Sequence, residues 1–293
     1  MNQDNTTPTG WIPGRREAIT GMGALLAAAA APTASANTSA ANPAKELAGK
    51  VAIVSGAARN LGRGYAVALA KNGAHVVVHY HTEKSRADAE ETARLIRAQG
   101  GKAVLVAGDL SIVANVRKMY DTAFEHFGRV DIVVNNAGKI FKKPLAQVTE
   151  EEFDQSFGIN TKAVFFSMQE AARRIADNGR IINIGTSLLA ATTGMYSVYA
   201  GSKAAMEDLT RALAKEIGAR GVTVNTIAPG AVNTPFFHGP ESPESVAFVT
   251  RLHPQGRLAE VADIVPMVEF LASPRAQWVN AQTLFVNGAY VAR

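Results

Sequence analysis

The sequence predicts an α/β protein built on one parallel, seven-stranded sheet with helices on both faces. Three observations carry this. Short continuous apolar runs such as Val51–Val54 and Val76-Val77-Val78 read as strands buried on both sides. Those runs alternate with stretches of helical spacing, the pattern of repeated strand–helix–strand units. A glycine-rich turn beginning at Gly56 directly follows the first run and opens the first helix.

The elements follow in order from Lys50. Val51–Ser55 is a strand, and a helix runs to about Asn72. Ala74–Tyr80 is a strand, and helical spacing from Lys84 to Gln99 is stopped by Gly100-Gly101. Ala103–Ala107, Val113–Phe127 and Val130–Val134 read as strand, helix and strand. A long helix is expected over Glu150–Ala176, then a strand over Arg180–Ile184, a helix over Val198–Gly218 and a strand over Val222–Ala228. A helix near Glu260–Leu271 precedes a last strand, Gln282–Val286. Right-handed crossovers make this a doubly wound sheet of the Rossmann type, whose ligands bind at the carboxyl ends of the strands.

The 293 residues, 47% of them hydrophobic, suit one domain with a sizeable core and an appendage. The 30 basic and 25 acidic residues give a formal charge of +5, scattered without a run that would suggest nucleic acid. Cysteine is absent, which excludes disulfides, thiolate zinc sites and thiol catalysis. The six histidines show no helix-paired spacing, so no metal site is expected. Residues 1–36 have the layout of an export signal: Arg15-Arg16, an apolar run from Ala18 to Ala31 too short to span a membrane, and the small-residue pattern Ala34-Ser35-Ala36. The paired arginines resemble the twin-arginine type, which implies a periplasmic protein, with the cytoplasm as the alternative. Residues 37–49 read as a linker and residues 50–293 as the domain.

The chemistry concentrates at strand ends. Ser55-Gly56-Ala57-Ala58-Arg59-Asn60-Leu61-Gly62 can bring backbone amides close to a pyrophosphate at a helix N-terminus. Tyr199 and Lys203 lie four apart on a helix and so share a face. An ammonium beside a phenol favours phenolate and is expected to lower the tyrosine pKa. Asn160 sits inside the long predicted helix, where asparagine is a poor choice without a specific role.

On these residues the chain resembles the short-chain dehydrogenase/reductase family. The family's Thr-Gly-x-x-x-Gly-x-Gly turn reads here as Ser55, Gly56, Asn60 and Gly62, with Asn60 in place of the middle glycine. Asp109-Leu110, Asn135-Asn136-Ala137-Gly138 and Pro229-Gly230-Ala231-Val232-Asn233-Thr234 match further family motifs, and Tyr199 and Lys203 match its Tyr-x-x-x-Lys pair. The resemblance implies an NAD(P)-dependent oxidoreductase in which Tyr199 passes the proton and Lys203 supports it. The resemblance also implies that Asn160 holds a helix distortion and a water linked to the lysine. It implies cofactor contacts from Gly56, Arg59, Asn60, Leu61, Gly62, His81, Asp109, Leu110, Asn136, Ala137, Gly138, Tyr199, Lys203, Pro229, Gly230, Val232 and Thr234. The family's substrate-polarising serine lies thirteen residues before the tyrosine. Counting back from Tyr199 gives Thr186, with Ser187 one position later, and Thr186 ranks first.

No acidic residue directly follows the second strand, where NAD users bond the ribose, and Arg59 is placed for a 2′-phosphate with His81, Lys84 or Ser85 nearby. NADP(H) is therefore favoured over NAD(H). The implied reaction is reduction of a small-molecule ketone or 3-oxoacyl group, as in the family's 3-oxoacyl-acyl-carrier-protein reductases. The Val78-His79-Tyr80-His81 run also resembles pteridine reductases, which usually carry Arg where Thr82 stands. A non-catalytic NADP-binding sensor or scaffold is the reading of a different class. It would keep the glycine turn and lose Tyr199, Lys203 or the hydroxyl. Phe141, Lys142, Lys143, Met195, Tyr196 and the segment from Pro235 to Leu252 are expected to shape the pocket. The family resemblance also implies a homodimer or homotetramer.

Overall fold

A computed structural model describes residues 45–292. The export-signal stretch 1–36 and the linker up to residue 44 lie outside the described residues. The sheet has seven strands: β1 (Val51–Val54), β2 (His75–Tyr80), β3 (Ala103–Ala107), β4 (Ile132–Asn135), β5 (Arg180–Ile184), β6 (Thr223–Pro229) and β7 (Thr283–Val286). Every neighbouring pair is parallel, in the order β3-β2-β1-β4-β5-β6-β7. The winding direction reverses between β1 and β4, which opens the crevice that ligands use in such sheets.

Helices cover both faces, and the strands sort their side chains strictly between them. Ala52, Val54, Val76, Val78, Ile132, Val134 and Ile182 pack with one helix layer: α1 (Asn60–Lys71), α2 (Arg86–Ala98) and α10 (Val261–Ala272). Val51, Ile53, Val77, Val133 and Ile181 face the other: α3 (Val113–Phe127), α5 (Ala163–Arg174) and α7 (Ser197–Ile217). The alternation is the two-residue period of a strand buried on both faces.

Three departures from the sequence reading have physical causes. Leu47 is 3% exposed, and its amide donates to the Asn72 carbonyl at 2.9 Å. The packed chain therefore begins inside the stretch read as a linker. The helix expected over Glu150–Ala176 is α4 (Glu150–Phe157), one wide π turn over Gly158–Lys162, and α5. Its start is a full capping box, Thr149 with Glu152. Between β6 and α10 lie the four-residue α8 (Pro235–His238) and α9 (Pro243–Leu252). α9 starts where Ser242 Oγ accepts from the Ser245 amide and Pro243 takes the first helical position. A further one-turn helix, α6 (Leu188–Ala191), follows β5. Among the described residues no helix is long and apolar enough to cross a membrane.

Candidate active site

A cavity of about 670 Å³ runs along the carboxyl ends of the strands, from the glycine-rich turn to Tyr199. At its first end, Gly56 has φ +63° and Asn60 φ +51°. Asparagine thus takes the left-handed conformation that lets it replace a glycine. The first turn of α1 has no acidic residue, and its N-terminal residue Arg59 makes no side-chain cap. The amides of that turn are left to an anion. Gly62 packs so tightly on the turn that a Cβ there would lie 2.1 Å from the Gly56 oxygen. These features fit the pyrophosphate of a dinucleotide.

The second asparagine of the Asn135-Asn136-Ala137-Gly138 motif buttresses this turn. Asn136 Nδ2 donates to the carbonyls of Ser55 (3.0 Å) and Gly56 (3.2 Å), and Ser55 Oγ accepts from the amides of Asn136 (2.9 Å) and Ala137 (3.0 Å). His79 holds the other side. It is 2% exposed, and its Nδ1 accepts from the Gly56 amide at 3.0 Å, so its Nε2–H must donate to the Gly108 carbonyl at 2.8 Å. Burial lowers the imidazole to a pKa of about 4, which keeps that neutral tautomer. The sequence reading used His79 only as part of a resemblance and missed this bridge, which joins residues far apart along the chain.

Tyr80, His81 and Ser85 line the cavity at the end of β2, and Arg59 lies at its rim, 3.4 Å from Asp88. Lys84 does not line it. Asp109 does, but the neighbouring Leu110 is 3% exposed within the core under α3. Leu110 packs in the core and does not line the cavity. Pro229, Gly230, Val232 and Thr234 reach the cavity from the end of β6.

At the other end, Tyr199 and Lys203 sit one turn apart on α7, 6% and 3% exposed. The Thr186 hydroxyl lies near enough to the Tyr199 phenol to lower its pKa, and it accepts from the Leu188 amide at 3.3 Å. Ser187 is turned elsewhere: its hydroxyl donates to the Ala228 carbonyl at 2.9 Å and accepts from Asn287 Nδ2 at 3.1 Å. Of the two candidates, only Thr186 presents its hydroxyl to Tyr199, and Ser187 is a strut between β5, β6 and the C-terminal segment. Lys203 Nζ donates to the Ile184 carbonyl at 2.7 Å.

Asn160 does not line the cavity. It is fully buried in the π turn, where Oδ1 accepts from the Lys139 amide (3.0 Å) and Nδ2 donates to the Lys139 carbonyl (2.8 Å) and to Ser202 Oγ (2.9 Å). One carboxamide thus clamps both backbone groups of Lys139, in the loop after β4, to α7. A Cβ on Gly138 would meet Asn160 Oδ1 at 3.0 Å and Lys203 Nζ at 3.5 Å, so the motif glycine closes against both.

The electrostatics reverse one expectation. Tyr199 is pushed up to about 12 by burial, which the Thr186 hydroxyl offsets only in part. Burial likewise lowers Lys203 to about 8. The net shift of the tyrosine in this state is upward, because desolvating a phenolate costs more than the neighbouring groups return. The site holds a neutral phenol, the form that gives a proton away. Phe141, Lys142, Lys143 and Met195 stand outside the cavity wall, whereas Tyr196, Phe236, Phe237 and Val249 form part of it.

The fold and this site define a dinucleotide-dependent oxidoreductase. Residues 56–290 match the family model described as enoyl-(acyl carrier protein) reductase. A short-chain type dehydrogenase/reductase of Picea abies is 42% identical over 255 residues, covering 84% of this chain and 93% of the relative. The hydroxynaphthalene reductase-like protein Arp2 of Metarhizium majus is 40% identical over 261 residues, covering 84% of this chain and 97% of its own. Among solved structures, a putative dehydrogenase of Burkholderia cenocepacia with bound NADP superposes with a TM-score of 0.83 at 40% identity, covering 85% of this chain and 96% of that one. The chain belongs to the short-chain dehydrogenase/reductase family.

Proposed function

We propose that the protein is an NADPH-dependent carbonyl reductase in which Tyr199 donates the proton to a ketone or 3-oxoacyl oxygen. The observation that carries this is the Tyr199–Thr186 hydroxyl pair at one end of the cavity whose other end is the glycine-rich turn. The cofactor supplies hydride to the carbonyl carbon. The chain's residues do the rest. Thr186 and Tyr199 hold the carbonyl oxygen, Tyr199 gives its proton as negative charge develops there, and Lys203 steadies the resulting phenolate. Asn160 and Gly138 fix the wall against which Lys203 is held.

Two features favour NADP(H) over NAD(H). Tyr80 stands at the end of β2 in place of a carboxylate, and Arg59 lies at the rim with its side chain 60% exposed, where it would exchange Asp88 for a 2′-phosphate. The NADP in the Burkholderia cenocepacia neighbour points the same way. Titration with NADPH and NADH, followed by cofactor oxidation over a ketone panel, tests the reading. NADPH is expected to bind more tightly and to be oxidised with a ketone present. Tight binding with no turnover across the panel would instead support a cofactor sensor.

The hydroxyl pair gives a discriminating experiment. Thr186→Val is expected to lower kcat about 100-fold by removing one oxyanion donor. Ser187→Ala is expected to keep kcat within about three-fold and to lose about 1 kcal/mol of stability, because it removes a buried hydrogen-bonded hydroxyl. Kinetics and thermal unfolding of the two variants check this, and the reverse ranking would transfer the role to Ser187.

A further inference from the structure

At the substrate end of the cavity a buried polar cluster remains that the reductase chemistry does not use. The Glu241 side chain, between α8 and α9, is fully covered. Its Oε1 accepts from the Tyr196 hydroxyl, and its Oε2 accepts from the Lys142 ammonium and the Ser245 hydroxyl. Lys142 also donates to Ser245 Oγ at 2.7 Å and stands 5.4 Å over the Tyr196 ring. Burial works against the carboxylate charge, but these three donors outweigh it and hold the group below its ordinary pKa. The cluster joins three segments distant in sequence: the loop after β4, the loop before α7 and the α8–α9 segment. A backbone bond from the Lys143 amide to the Met195 carbonyl, 2.8 Å, ties the first two independently.

The arrangement has two consequences for the cavity. Tyr196 lines it with its ring, because its hydroxyl is directed away to Glu241. The Lys142 charge, behind that ring, is cancelled before it can act on a ligand. Lys139 and Lys203 also line the cavity, but the part of the wall that these segments and their neighbours supply is Tyr196, Leu188, Phe236, Phe237, Val249 and Tyr290, with the Phe236 ring 6.5 Å from that of Tyr199. None of these side chains carries charge.

We propose that Glu241, with Lys142, Ser245 and Tyr196, is the specificity-determining set of this enzyme: it fixes the α8–α9 segment over the site and keeps the wall contributed by Tyr196 and its apolar neighbours uncharged, so that neutral apolar ketones are preferred over anionic ones. The proposal rests on the reductase reading above. A charged substrate group would have to be desolvated against this wall without a partner.

The test compares acetophenone with 4-acetylbenzoate, which differ by one carboxylate. The wild-type enzyme is expected to favour acetophenone at least about 10-fold in kcat/KM. Glu241→Gln leaves Lys142 uncompensated. It is expected to raise the acetophenone KM about 10-fold and narrow the preference below about three-fold, with the KM for NADPH unchanged. The double variant Lys142→Met/Glu241→Gln removes both charges and is expected to recover most of the wild-type preference. Equal use of the two ketones by the wild type overturns the proposal, whether or not any variant folds. So does a Glu241→Gln enzyme with unchanged preference, or one whose KM for NADPH rises as much as that for ketone. Calorimetric binding of the same two ketones to the NADP⁺-bound wild type gives the comparison without turnover. Preferential binding of acetophenone with no turnover would count against the reductase reading alone, and equal binding against the specificity set.

Discussion

Replacing Tyr199 with phenylalanine is expected to lower kcat for carbonyl reduction by about 10³-fold, within the range that a positioned general acid supplies. The binding constant for NADPH should stay within about three-fold. The side chain is buried and its ring is kept, so the variant loses little packing. The Thr186 hydroxyl loses the neighbouring phenol, which costs about 1 kcal/mol of stability. The electrostatics sharpen the expectation. Tyr199 stays protonated to about pH 12, so loss of the phenol proton does not limit reduction at ordinary pH. The buried Lys203 ammonium, which steadies the phenolate formed on proton donation, is lost near pH 8. A kcat/KM profile for reduction with one descending limb near pH 8 is the expected result. Turnover undiminished in Tyr199→Phe would remove the phenol from the mechanism, and a limb near pH 10 would return the titration to the tyrosine.

The sign of the Tyr199 shift shows where sequence reading stops. Spacing reveals that Lys203 shares a helical face with Tyr199, and from that pair alone a lowered phenol pKa follows. The depth of burial is set by β5, β6 and α8, which no local pattern reports, and burial decides the sign. Spacing ranked Thr186 above Ser187 without showing where either points: adjacent residues leave a strand end in opposite directions, and the contacts of Ser187 with Ala228 and Asn287 show which way it is turned. Leu110 was drawn into the site by its neighbour Asp109, yet the two side chains part, one to the cavity and one to the core. The strands were legible because burial on both faces demands continuous apolar runs. Asn160 was legible because a poor helix former in mid-helix needs a reason, and the π turn with its clamp on Lys139 supplies one. Lys142 and the segment that holds Glu241 were read as shaping the pocket, but their pairing carried no signal, since it spans ninety-nine positions.

Gly62→Ala is expected to be the most damaging single-atom-group change in the cofactor half of the site. The added Cβ would lie 2.1 Å from the Gly56 oxygen, 2.8 Å from its carbonyl carbon and 2.7 Å from Asn136 Nδ2. Contacts under 3 Å to backbone cannot be relieved by turning a side chain. The Gly56 peptide is itself held on both sides, its carbonyl by Asn136 and its amide by His79. Relief must come from opening the turn, which displaces the amides that face the pyrophosphate. Affinity for NADPH is expected to fall at least about 100-fold, with a stability loss of about 3 kcal/mol. Gly201→Ala is the control. Gly201 is exposed in the interior of α7, and a Cβ there meets only the Phe157 ring edge at 3.9 Å. Alanine in a helix interior is favoured over glycine by about 0.5–1 kcal/mol. This variant is therefore expected to melt at the wild-type temperature or higher and to bind NADPH normally, although it lies between Tyr199 and Lys203. Fluorescence titration and thermal unfolding of the two variants separate a glycine required by backbone contact from one that is not. Normal NADPH affinity in Gly62→Ala would mean that the cofactor does not depend on this turn.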